Sequence, residues 1–216
     1  MKFLSEAGQR ELRVAIEEVE AASSVELVVA ARQQIRRWPS ANVAIGLVFA
    51  MAMLAFELYS ETYEFDYWAI LLFPLLAGMI GGLLVELVPP LQRALTPRRI
   101  RTQNMLEAAR AAFYELGVHN TKGRTGLLAF VAIRDRRATL VGDLAVIDKV
   151  GKPELDRIAA ALAAAIPSGA EAVARVLRDA APVLGKAMPR AADDVDELAN
   201  VIHVLKPERG PRRFVR

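Results

Sequence analysis

Two long apolar runs stand out against the charged and amphipathic segments around them. Residues 41–59 and 67–88 contain no lysine or arginine and show no polar face. Each run is close to the ~20 residues that a helix needs to cross a hydrocarbon core about 30 Å thick. A buried helix of a soluble protein is the alternative, but two adjoining runs without a polar side favour the membrane. The pattern predicts a two-helix transmembrane hairpin.

Outside the hairpin, the pattern alternates between helices and short strands. Ser5 is a good N-cap for a helix over residues 6–22, and the β-branched run 25–31 predicts a buried strand. After the hairpin, a helix, two strands joined by a turn, and two more helices are predicted at residues 97–116, 126–133, 138–141, 154–165 and 170–187. This order predicts an α/β fold, a small mixed sheet flanked by helices on both faces.

The hairpin interrupts this domain. One helix and one strand cannot close a hydrophobic core, so residues 1–38 must fold together with residues 91–205. Residues 39–90 then form the hairpin, and residues 206–216 form a basic tail. We therefore expect an α/β domain with an inserted transmembrane α-helical hairpin.

Charge predicts the orientation of the hairpin. The connecting loop, residues 60–66, carries carboxylates and no basic residue, whereas arginines flank both runs at positions 32, 36, 37, 93, 98, 99 and 101. By the positive-inside rule both flanks, and hence both termini, lie in the cytoplasm. Tyrosine and tryptophan near the loop resemble an interfacial aromatic belt.

Polar and small residues inside the apolar runs are candidates for function. Glu57 and Glu86 are intramembrane carboxylates, which are expensive to bury as charges. They lie near opposite sides of the bilayer, where both can reach an interface, so a small transporter is a weaker alternative. Gly78 and Gly82 form a GxxxG spacing. Its alternatives are packing of the hairpin on itself and association of two copies into a homo-oligomer.

Composition excludes several classes of site. The chain has no cysteine, so it has neither disulfides nor thiolate ligands. Its formal net charge is +3, without the clustering of basic and aromatic residues that a nucleic-acid surface needs. The motifs of nucleotide-binding loops, serine hydrolases and zinc proteases are missing from the sequence. We expect partners to be the lipid bilayer and other membrane or cytoplasmic proteins, and no nucleic acid.

Several phrases in fixed order resemble the TPM-domain family. They are the FYELG helix end at residues 113–117, the loop Thr121, and the RTGLL, DRR and GD phrases that start at residues 124, 135 and 142. The opening residues 3–29 and the acidic segment 193–200 are similar to the family as well. The resemblance covers nearly all of the chain outside the hairpin.

The resemblance implies a domain in the bacterial inner membrane, with a claimed acid phosphatase activity and Ca²⁺ or Mg²⁺ binding in some members. Phosphoryl transfer needs carboxylates to hold a metal or attack phosphorus, and arginine to neutralise phosphate. The catalytic candidates are Asp135, Asp143 and Arg137, and the metal candidates are Glu26, Asp135 and Asp143. The alternative is that Asp135 and the arginines only build a solvated turn and that Asp143 only caps the end of a strand. We expect a non-enzymatic interaction or assembly module, with a metal-dependent phosphatase as the alternative.

The topology can be tested directly. A reporter inserted in the loop at residues 60–66 is expected to be periplasmic, because the loop lacks the basic residues that are retained in the cytoplasm. Alkaline phosphatase and green fluorescent protein fusions at this loop measure the two outcomes. A cytoplasmic signal at the loop would overturn the orientation.

Overall fold

A four-stranded mixed sheet lies at the centre of the α/β unit. The computed structural model describes residues 5–33, 35, 40–87, 98–190 and 197–206. The strands are β1 (Glu26–Arg32), β2 (Gly126–Ala132), β3 (Arg137–Gly142) and β4 (Ile202–Leu205). Their order is β3-β2-β1-β4, with β2 and β4 parallel to β1 and β3 antiparallel to β2. The predicted mixed sheet is confirmed.

Seven α-helices occur in the described residues. They are α1 (Glu6–Ala22), α2 (Ser40–Tyr59), α3 (Tyr67–Leu87), α4 (Arg98–Glu115), α5 (Leu144–Val150), α6 (Lys152–Ala165) and α7 (Ala170–Ala187), and a 3₁₀ turn, Ile166–Ser168, joins the last two. The chain divides into two compact units. One contains α2 and α3 within Arg37–Arg101, and the other is formed by the residues on both sides of that segment.

Helices cover both faces of the sheet, as predicted. Leu27 and Val29 of β1 pack in a core with side chains of α1, α6 and α7. Val28 and Ala30 point the other way, into a second core with Met105 and other side chains of α4. Because β1 and β2 are buried on both faces, their sequences are continuous apolar runs and not alternating ones.

The first helix follows its sequence signals closely. The Ser5 hydroxyl accepts a hydrogen bond from the Gly8 amide at 3.2 Å, which confirms the predicted N-cap. Leu12, Ile16 and Val19 are buried on one face, as their spacing predicts. Across that face Arg178 of α7 donates to Glu11 at 2.8 Å, so a polar contact borders the apolar one.

Two elements, α5 and β4, are not predicted from the sequence. Helix α5 has only seven residues, and β4 has only four, too few for a periodic pattern to identify either. Strand β4 forms because it pairs with β1, with Val29 opposite Ile202. Such a strand depends on its neighbour and not on its own propensity.

Arg32 belongs to the α/β unit and not to a membrane border. It is the last residue of β1 and only 4% exposed. Its guanidinium carbon lies 5.6 Å from the centroid of the Phe130 ring, within the range of a cation–π contact. The orientation argument therefore rests on the other flanking arginines.

Helices α2 and α3 form the second unit and are long and apolar enough to cross a membrane. By length and composition, Asn42–Tyr59 and Tyr67–Val85 qualify, with mean hydropathies of 1.8 and 2.3. Few of their residues are buried within the unit. The large apolar side chains Leu47, Leu71 and Met79 are each more than half exposed. Outer faces of this kind are compatible with a lipid environment.

Glycines bring α2 and α3 into close contact. A Cβ atom added at Gly46 would lie 2.7 Å from the Gly78 carbonyl oxygen, and one at Gly78 would lie 3.1 Å from the Gly46 oxygen. Gly82 faces the Asn42 backbone in the same way. The glycine spacing thus packs the hairpin on itself, and its partner Gly46 is not identified by the GxxxG pattern. A homo-oligomer through Gly78 and Gly82 stays a prediction.

Substitution of Gly46 by leucine tests this contact. We expect Gly46→Leu to destabilise the hairpin by about 1–3 kcal/mol, because overpacking forces the two backbones apart. Ala44→Leu is the matched control, since Ala44 lies on the exposed side of α2. Thermal unfolding of the detergent-solubilised chain measures both. Equal stability of the two variants would contradict the close packing.

Candidate functional site

A groove runs along the outer edge of β3. Helices α4 and α6 pack on opposite faces of the sheet, yet both line the same groove together with residues 138–142 of β3. A cavity bordered by both helices and by the edge strand must follow that edge. Its volume is about 770 Å³, within the range of ligand-binding pockets. This groove is the candidate functional site.

Asp143 lies at the end of the groove where β3 stops. It is the N-cap of α5, and its Oδ1 accepts from the Leu144 amide at 2.7 Å. The Arg124 Nε lies 3.3 Å from the same oxygen. Asp143 therefore caps a helix and not a strand end, which corrects the sequence interpretation. The residue is 7% exposed, and its Oδ2 has no hydrogen-bond partner among the described residues.

Arg137 lies at the other end of the groove. It is the first residue of β3 and donates to the Thr102 hydroxyl of α4 at 3.0 Å. It is six residues before Asp143, and six residues of a strand span a distance of roughly 20 Å. Two of the three catalytic candidates, Asp143 and Arg137, thus line the groove, but a single phosphate group cannot contact both.

Asp135 is outside the groove, in the turn between β2 and β3. Its Oδ2 accepts from the Ile35 amide at 2.8 Å, so it ties the segment after β1 to this turn. The next residue, Arg136, adopts a left-handed backbone with φ of 50°. Asp135 thus has a defined structural role in the turn, in agreement with the turn interpretation.

Glu26 is buried at the start of β1. It is 5% exposed, and its Oε2 accepts from the amides of Glu197 and Leu198 at 3.2 and 3.1 Å. These bonds hold the segment that leads into β4 against the start of β1. A carboxylate that accepts two backbone amides is a strong structural anchor.

The three predicted metal ligands do not converge. Glu26 and Asp143 lie at the same end of the strands. Glu26 is opposite Gly126, and the Asp143 amide donates to the Gly126 carbonyl at 2.8 Å. Asp135 lies beyond the opposite end of β2, a strand of seven residues. One ion cannot be held by all three. In the described ranges, no group of three histidine or acidic side chains is placed to hold a metal ion.

Other groove residues were not indicated by any motif. Arg110 of α4 and Lys152 and Asp156 at the start of α6 line the groove. Arg110 follows Ala109, a buried residue of the same helix, and its local sequence contains no further signal. Lysine and aspartate on a helix face are ordinary solvated residues until the tertiary fold places them.

The hairpin contains one further buried carboxylate. Glu57, near the end of α2, is 6% exposed, and neither of its side-chain oxygens has a hydrogen-bond partner among the residues that the structure describes. The side chain of Glu86 lies outside the described part of α3. Whether the two carboxylates act together stays a prediction.

Comparison with solved structures shows a similar fold in one bacterial protein. It is the BA42 protein from the psychrophilic bacterium Bizionia argentinensis, determined by NMR, which is 20% identical in sequence with a TM-score of 0.55. The match covers 94% of this chain and 95% of that protein. No protein-family model matches the chain, and no curated protein matches it. At this identity the likeness concerns the fold alone.

The capping role of Asp143 can be measured by stability. We expect Asp143→Ala to lower the free energy of unfolding by about 0.5–2 kcal/mol, because α5 loses its N-cap acceptor. Asp143→Asn is the control, since asparagine is an equally good N-cap and only the ion pair with Arg124 is lost. Chemical denaturation measures both. Equal losses in the two variants would show that the charge, and not the cap, stabilises this corner.

Proposed function

We propose that the chain is a TPM-like α/β domain anchored in the bacterial inner membrane by its hairpin and acting as an interaction module on the cytoplasmic face. The groove along the free edge of β3 is the observation that carries this proposal. It offers a strand edge and two helical walls to a protein partner, and such edges are a common mode of peptide recognition.

Three observations support the membrane anchor and the family. Helices α2 and α3 have the length and hydropathy of membrane spans, with exposed apolar side chains. Basic residues flank them, and the loop between them has none. The mixed sheet agrees with the TPM-like fold that the sequence phrases imply, and a bacterial protein of similar fold exists.

The distribution of candidate residues favours a module over an enzyme. Asp143 and Arg137 lie at opposite ends of β3, and Asp135 and Glu26 hold backbone amides. Each has a structural contact that accounts for it. Phosphoryl transfer instead needs its nucleophile, metal and phosphate-binding cations around one phosphorus atom.

A phosphatase of the same fold is the second candidate, and one observation favours it. Asp143 lines the groove, and its buried Oδ2 has no hydrogen-bond partner in the described part of the chain, while Arg124 lies beside the other oxygen. A carboxylate next to an arginine is the minimum that a phosphate site requires. This pair alone provides neither a metal site nor a second cation.

Turnover of a phosphate ester distinguishes the two candidates. We expect the detergent-solubilised full chain to hydrolyse p-nitrophenyl phosphate no faster than its Asp143→Asn variant, with Ca²⁺ or Mg²⁺ present and from acidic to neutral pH. The reason is that the groove does not bring a catalytic set together. Turnover that Asp143→Asn abolishes would replace the module with a phosphatase.

Thermal unfolding with Ca²⁺ or Mg²⁺ in the same preparation shows whether an ion accompanies the module. A stabilisation that is lost in the Asp143→Asn variant would place the ion at the end of the strands where Glu26 and Asp143 lie. A stabilisation lost only in Asp135→Asn would place it at the β2–β3 turn, since the two positions cannot share one ion.

A further inference from the structure

The outer edge of β3 has a defined hydrogen-bonding phase. In an antiparallel pair, alternate residues exchange their backbone bonds with the partner strand. The Asp143 amide donates to the Gly126 carbonyl at 2.8 Å, and the register continues from this pair along β3. The alternate residues Ala138, Leu140 and Gly142 therefore direct their N–H and C=O groups away from β2. These groups point outward from the edge that the groove follows.

No strand among the described residues pairs with this edge. β3 is the terminal strand of the sheet, and it has a neighbouring strand, β2, on one side only. Buried or half-buried backbone groups need partners, and an edge strand offers them to any extended segment that fits beside it. The groove gives such a segment room between α4 and α6.

The two walls of the groove differ in charge. On the α4 side the charged residues are Arg110 and Arg137, and they lie beside Thr102 and the apolar or aromatic residues Met105, Leu106, Phe113 and Tyr114. On the α6 side Lys152 and Asp156 carry opposite charges that balance, and the other lining residues are Leu155, Ala159 and Ala160. The α4 side thus carries a net positive charge and the α6 side does not.

We propose that the groove binds an extended peptide segment of a partner protein, which adds to β3 as a further strand and in which acidic and apolar residues alternate. This inference rests on the proposed interaction module. Side chains of a strand point alternately to the two faces of a sheet. An added strand would therefore direct one set toward Arg110 and Arg137 and the other toward Leu155 and Ala159 of α6.

Peptide binding by the full chain in lipid nanodiscs tests the proposal. The probe is a capped, fluorescent peptide of alternating glutamate and valine, about eight residues long to match a short strand. We expect saturable binding by anisotropy, after subtraction of empty nanodiscs, and none for the lysine–valine peptide. Arg110→Glu is expected to weaken binding roughly tenfold or more, since it reverses a charge facing the ligand. Arg175→Glu, the same charge change on exposed α7, is the control and should bind as the unaltered chain does.

Two N-methylated probes show whether binding is by strand addition, without altering the protein. In one, every glutamate amide is methylated, and in the other every valine amide. Because alternate amides of a strand point to opposite edges, only one of the two series should lose binding. Equal binding of both, or unchanged binding by Arg110→Glu, would overturn the proposal.

Failure of this proposal is distinguishable from failure of the proposed function. Absence of peptide binding, with no phosphate-ester turnover, removes this partner and leaves the module. An Ala138→Cys variant tests for two copies paired at this edge, since the chain has no other cysteine. A disulfide between copies that forms as fast as the chain dimerises would assign the edge to a second copy and overturn the proposal as well.

Discussion

The parallel pairing of β1 with β2 is the interaction on which the rest of the α/β unit depends. Each residue of β1 lies opposite the residue numbered one hundred higher, so the pairing crosses the hairpin and α4. The entropic cost of closing a loop rises only slowly with its length. The hairpin, moreover, is a compact unit of its own, held by the glycine contacts between α2 and α3. The insertion therefore adds little to the entropic cost of pairing β1 with β2.

This pairing also decides which parts of the sheet are open. Because β1 and β2 are central and buried on both faces, the exposed edges belong to β3 and β4. Glu26 secures the β4 side by accepting the amides of Glu197 and Leu198. The β3 side is bordered by a groove and not by another element of the described chain. The two edges of one small sheet thus differ in what borders them.

The sequence predicts the interior of the fold well and its periphery poorly. The strands β1 and β2, the helices α1 and α7, and the mixed character of the sheet follow from runs of apolar residues and from N-caps. The short elements α5 and β4 do not, because each depends on tertiary contacts and has too few residues for a period. The candidate site is formed at this periphery. Arg110, Arg137 and Asp143 come from three elements, and nothing in their local sequence indicates that they border one groove.

Asp143 illustrates why residue type alone leaves its role open. A carboxylate has two oxygens, and one of them caps α5 and faces Arg124 while the other remains without a partner in the described chain. The structural interpretation and the functional one are therefore not exclusive. The bonds to the first oxygen fix the rotamer of a side chain that also lines the groove. A residue that stabilises the corner can therefore border a ligand site at the same time.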